Sequence, residues 1–183
     1  MSLILLKIWE RLSRAIATFP DLGDRDVIVS ISVYALFIMV LGVTTGFLHW
    51  DLCKSSKLII RIVATSLIAP AILEELVFRV ILLPYPSSKI APEFYLTQSV
   101  ISLCLFIIYH PLNGITFFPQ GRKTFFNPVF LVLATALGLV CTLSYWQTGS
   151  LWLPVLIHWL SVVFWLLCFG GLDKLNYQSV QRK

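Results

Sequence analysis

Residues 69–79, APAILEELVFR, put two adjacent glutamates and an arginine inside a stretch otherwise apolar enough to cross a bilayer. Each such charge costs roughly 2.5 to 3.5 kcal/mol at the centre of a membrane helix, so three on one segment need partners or a polar cavity. Glu75 and Arg79 lie four residues apart, share a helical face and can neutralise each other within one turn. Glu74 sits about 100° around the helix from Glu75, with no cation at helical spacing. Its partner must come from another helix or from water. On residue type alone, a polar contact between helices or a charge on a translocation path accounts for Glu74 about as well as a reactive site does. Other ionisable residues at the same depth would distinguish a reactive site from either.

The setting of that stretch is a membrane. The chain is 58% hydrophobic and 13% charged, with a mean hydropathy of +0.86, well above the composition of water-soluble domains. Its 183 residues have room for one bundle of about five spans at roughly 20 residues each, and for no separate soluble domain. The expected fold is therefore all-α, a polytopic membrane helix bundle forming one domain over residues 1–183. The formal charge of +5 is spread over tails and loops, which points to anionic lipid. No Lys/Arg cluster with interleaved aromatics points to nucleic acid. Cys53, Cys104, Cys141 and Cys168 form no C-x-x-C pair and read as small packing residues.

Taken in order, residues 3–19 carry Ile4, Leu5, Ile8, Leu12, Ile16 and Phe19 at three- and four-residue steps, with Lys7, Glu10, Arg11 and Arg14 between them. This predicts an amphipathic interfacial helix over residues 1–20, and its charges exclude the apolar core of a cleavable signal. Spans are expected at residues 27–48, 58–83, 94–112, 129–145 and 151–169, with Pro70 kinking the second four residues before Glu74. His49, beside Trp50 and Asp51, reads as a headgroup-level polar residue. Pro84, Pro86 and Pro92 surround Ser87, Ser88 and Lys89 in a turn-rich connector, and residues 113–126 read as a Phe-rich loop at the membrane surface. The tail from residue 170 is polar and basic, with fraying expected at its end.

Counting at about 1.5 Å per residue from the side where the second span ends, Glu74 lies about 14 Å deep, His158 about 11 Å and His110 about 20 Å. A lone histidine in a span is usually a hydrogen-bonded packing residue. Two at matching depth with an unpaired glutamate suggest more: a carboxylate beside a histidine can take a proton from water, and a second histidine can donate to a developing oxyanion.

Glu74-Glu75-x-x-x-Arg79, Phe106-x-x-x-His110 and Pro154-x-x-x-His158 resemble, in order and one per span, the three motifs of the CPBP family, the CAAX prenyl protease and bacteriocin-processing intramembrane proteases, also called Abi proteins. The resemblance covers residues 58–169, the protease-like core. It implies a glutamate-type endopeptidase in which Glu74 is the general base, His110 helps hold the attacking water, His158 is the oxyanion donor, and Glu75 with Arg79 gives structural and electrostatic support. Phe106 is expected to pack the site wall and Pro154 to bend its helix. The family often has Asn or Asp four residues after the last histidine, where this chain has Val162. Valine cannot donate a hydrogen bond, so either His158 acts alone or another donor, such as Asn113 or Ser161, supplies the second contact. The resemblance also implies no obligatory cofactor, a membrane-associated protein or peptide as substrate, and a multi-pass place in a bacterial-type cell membrane. Three other readings stay open: a catalytically weak or inactive member serving as a membrane-embedded binding or maturation factor, a proton-relay transporter, and a zinc site at Glu74, His110 and His158. A transporter would normally show a repeated half, and none is visible.

Overall fold

Local capping signals decide where most helices begin. In the structure, a computed structural model that describes residues 3–86 and 90–176, α1 (Leu3–Ala17) is followed by Pro20 and the short polar stretch 21–24, where the Asp24 carboxylate accepts from the amides of Asp26 and Val27 and starts α2 (Arg25–Thr44). Ser55 caps α3 (Ser56–Ser66) in the same way. Pro92 occupies the first turn of α5 (Pro92–Ile115), and Asn127 caps α7 (Pro128–Thr148) with Pro128 behind it. α8 (Trp152–Cys168) follows a tight turn at Gly149 and Ser150.

The second span is the least regular. After α3 the backbone passes through wide, π-type turns at Leu67–Ile72, a single α-helical turn α4 (Leu73–Glu75), and further wide turns at Leu76–Ile81. Ala69 leaves the helix altogether, at φ −131° and ψ 116°. The expected kink is thus a break, and its cause is local: Pro70 has no amide to donate and its ring forces the residue before it into an extended conformation.

Four helices, Arg25–Thr44, Ser56–Ile81, Pro92–Ile115 and Pro128–Thr148, are long and apolar enough to cross a membrane, and α8 is a shorter apolar helix of 17 residues. The described residues contain no strand, only an isolated bridge from Asp51 to Phe169. The protein is an all-α polytopic bundle. α7 lies at its centre, packed against α2, α5 and α8, while α8 also supports α3 and the broken segment after it. The outer faces remain apolar: Val29, Val33, Leu36 and Val40 of α2 are exposed, as residues that face lipid acyl chains must be.

One sequence expectation about the connections needs correction. Residues 113–126 are largely helical: Asn113, Gly114 and Ile115 complete α5, which continues through Pro111, and a 3-10 turn (Pro119–Gly121) leads into α6 (Arg122–Phe125). Gly114 serves close approach here, because a Cβ on it would come within 2.8 Å of Phe125. The tail, whose end is expected to fray, begins as a helix. α9 (Gly171–Lys174) folds back, its Lys174 carbonyl accepting from Thr124 Oγ1 at 2.6 Å, with Leu172 buried. Ser87, Ser88 and Lys89 of the connector, and residues 177–183 of the tail, lie outside the described residues. All four cysteines are free, and Cys141 is fully buried.

Candidate active site

Glu75 is the hub of the site. It is fully buried, and its Oε2 lies 3.1 Å from Arg79 Nε, the pairing its four-residue spacing predicts. Its Oε1 lies 2.7 Å from His158 Nδ1, a contact that joins the broken second span to α8 across 83 residues of sequence. Sequence reading missed that contact, since spacing along one chain does not reveal how two helices are rotated toward each other.

Arg79 is held from three sides. Besides Glu75, its Nη2 donates to the Gly138 carbonyl at 3.2 Å, and its guanidinium carbon lies 5.1 Å from the centroid of Phe106. Gly138 permits this, because a Cβ there would meet Leu103 and Phe106 at 2.7 and 3.0 Å. Phe106 is fully buried, 5.1 Å from Phe78, 4.7 Å from His110 and 6.1 Å from His158 by ring centroids, which makes it the packed wall expected of it. Pro154 departs from its expectation. It lies in the first turn of α8, where its missing amide costs no hydrogen bond, so it starts the helix without bending it.

Glu74 faces the other way. Its Oε2 lies 3.9 Å from His158 Nε2, so His158 stands between the two carboxylates, bonded to one and near the other. His110 bonds the Phe106 carbonyl through Nδ1 at 2.8 Å. A carbonyl only accepts, so Nδ1 carries the hydrogen and Nε2 is left with its lone pair. The same argument at His158 gives an Nδ1 that donates to the Glu75 carboxylate.

Glu74, His110 and His158 all line one cavity of about 1040 Å³. Tyr109, Asn113 and Val162 line it as well, and it lies between α2 residues such as Tyr34 and Ile38 and α3 residues such as Ile62 and Thr65. Its walls are mostly apolar. Val162 offers it no donor. Ser161 lines it too, its hydroxyl engaged by Tyr34 at 2.9 Å and the Ile157 carbonyl at 2.7 Å, and Asn113 is buried at the cavity wall, where its side chain meets the Tyr109 hydroxyl. His49 lies elsewhere, its ring against Gly170.

Among the described residues, no group of three His, Cys, Asp or Glu side chains is arranged to hold a metal ion. The Nδ1 atoms of His110 and His158 are hydrogen-bonded, to the Phe106 carbonyl and to Glu75, which leaves Nε2 of each ring as the nitrogen open to a further partner.

Residues 54–164, more than half of the chain, match the family described as type II CAAX prenyl endopeptidase Rce1-like. No curated protein and no solved structure matches the chain.

Proposed function

The chain belongs to the Rce1-like family of type II CAAX prenyl endopeptidases, and from that membership we propose that Glu74 is the general base of a metal-independent peptide hydrolysis inside the bundle. The protein is a membrane-embedded protease; the finer reading concerns which atoms do the work. The observation that carries it is the division of labour between neighbours: Glu75 is fully buried, ion-paired with Arg79 and hydrogen-bonded to His158, while Glu74 lines a cavity with both histidines.

The steps follow from that arrangement. A water in the cavity donates one hydrogen to His110 Nε2 and the other to the Glu74 carboxylate. As its oxygen bonds the scissile carbonyl carbon, Glu74 takes the proton and the carbonyl oxygen becomes an oxyanion. Because His158 gives its Nδ1 hydrogen to Glu75, it can donate to that oxyanion from Nε2 only as the imidazolium. One extra proton on the Glu74 and His158 pair supplies this, and it brings Glu74, Glu75, Arg79 and His158 to zero net charge, the state favoured in a low-dielectric interior. The buried Asn113 amide is the second oxyanion donor, in place of the one Val162 lacks. When the carbon–nitrogen bond breaks, Glu74 returns its proton to the leaving nitrogen.

The substrate is a membrane-associated protein or peptide whose scissile segment enters between α2 and α3, where the apolar walls receive apolar side chains. Purified protein in lipid vesicles, incubated with a library of membrane peptides, tests this. The expected result is cleavage that survives chelator and disappears in Glu74→Gln. Cleavage that needs added zinc, or persists in Glu74→Gln, rejects the mechanism.

A further inference from the structure

α1 lies outside the family-matched residues, yet its inner face is tied to both halves of the site. One tie runs to the end of the second span. Arg11 Nη1 donates to the carbonyls of Ile81 at 3.4 Å and Leu83 at 3.3 Å, the last carbonyls of the segment that carries Glu74, Glu75 and Arg79. Helix ends leave such carbonyls without partners, and a guanidinium is suited to collect two of them. The Arg14 guanidinium sits 5.3 Å over the Tyr85 ring, and Thr18 Oγ1 shares a hydrogen with the Tyr85 hydroxyl at 3.2 Å.

The other tie runs to the start of α8, the helix of His158. The Ala15 carbonyl accepts from the Leu151 amide at 2.9 Å, and the Ile16 carbonyl accepts from Trp152 Nε1 at 2.8 Å. Ala15 is fully buried in the same core as Val80, Leu83, Leu151 and Val155, with Leu12 packed beside it. The opposite face of α1 is exposed at the apolar residues Leu6, Trp9 and Ile16, side chains suited to a lipid surface.

We propose that α1 is a surface clamp that fixes the separation of the two site-bearing helices, with Arg11 as its positioning residue and the bilayer surface as the support of its outer face. The Glu75–His158 contact crosses between those two helices and has no slack at 2.7 Å. A small opening at the α1 end therefore weakens it. The clamp rests on the proposed roles of Glu75 and His158 for its effect on catalysis, but the contact it guards can be read without any substrate.

The experiment uses the full chain in phosphatidylcholine nanodiscs. Arg11→Gln, with Arg11→Lys as the milder change, opens one tie; Trp152→Phe opens the other. Backbone hydrogen exchange is read at residues 81–86 and 151–155, together with the nitrogen resonances of His158. Each variant is expected to speed exchange roughly five- to tenfold in both segments, the loss of about one hydrogen bond, and to shift the His158 Nδ1 resonance away from its bonded position. Faster exchange confined to residues 81–86, with His158 unmoved, makes Arg11 a local cap and overturns the clamp. Where cleavage is measurable, Arg11→Gln lowers kcat with KM unchanged. A wild type that cleaves nothing rejects the proposed function, and the His158 resonance still decides the clamp.

Discussion

Glu74 and Glu75 are neighbours in the chain and belong to two different regions of the molecule. Behind Glu75 is a packed wall of Arg79, His158, Phe106 and the α7 backbone, in which both members of the ion pair are fully buried. In front of Glu74 is a cavity open between α2 and α3, walled mainly by hydrocarbon. One turn of helix directs consecutive side chains about 100° apart, so a single Glu-Glu step supplies a fixed carboxylate and a free one. The fixed one holds the His158 ring at 2.7 Å, and the free one lies 3.9 Å from the other nitrogen of the same ring. A single acidic residue could not do both, because the carboxylate held between Arg79 and His158 is fully buried and does not line the cavity.

The sharpest way to break this comparison is at the free carboxylate. Glu74→Gln keeps shape and removes basicity, so cleavage is expected to fall by about 10³-fold or more, at the upper end of general-base contributions, with the thermal unfolding temperature in detergent nearly unchanged. Substantial activity in that variant would reverse the assignment of roles. At the fixed carboxylate the expected loss is mainly stability. Glu75→Ala strands a guanidinium that is fully buried, a change on the order of 3 to 5 kcal/mol, and a melt indistinguishable from wild type would mean the pair is not formed in the membrane.

His158 belongs to both regions, so its loss divides between them. His158→Ala is expected to slow cleavage by about 10² to 10³ through the lost oxyanion donor. It also unfastens Glu75 from α8, so a modest drop in melting temperature should accompany it. Kinetic loss with no change in stability would show that the 2.7 Å contact contributes little to holding the helices together.

Much of this division was legible in the sequence, and the illegible part has a common cause. The spans follow from hydropathy, the break at Ala69 from Pro70, and the Glu75–Arg79 pair from four-residue spacing, all of them properties of one segment. Depth counting brought Glu74, His110 and His158 to one level, and all three line one cavity. The Glu75–His158 bond depends on rotation of one helix against another, which no local period encodes. The helical character of residues 113–126 was hidden for a related reason. Their glycines look like turn residues, but Gly114 exists to let Phe125 approach, and Phe125 lies 5.4 Å from Phe130 in a tertiary aromatic cluster. Composition reports the glycine and leaves out the neighbour it makes room for.

The smallest expected effect, and the one most specific to this chain, lies at the open cavity. Val162 lies one helical turn beyond His158 and lines the same cavity, so an asparagine there would aim an amide at the region His158 Nε2 serves. Ser161 cannot substitute, being bonded to Tyr34 and Ile157, and Asn113 reaches the cavity from α5 instead. If Asn113 is a second donor from the far wall, the oxyanion is already partly served, and a third donor adds less than the 10² to 10³ that the loss of a sole partner would cost. Val162→Asn is therefore expected to raise kcat by no more than about tenfold, and Asn113→Ala to lower it by about 10². The double variant discriminates between donors that share one oxyanion and donors that do not: Val162→Asn should restore part of what Asn113→Ala loses. If Asn113→Ala leaves cleavage unchanged while Val162→Asn slows it, valine is part of a differently built apolar wall, and the oxyanion rests on His158 alone.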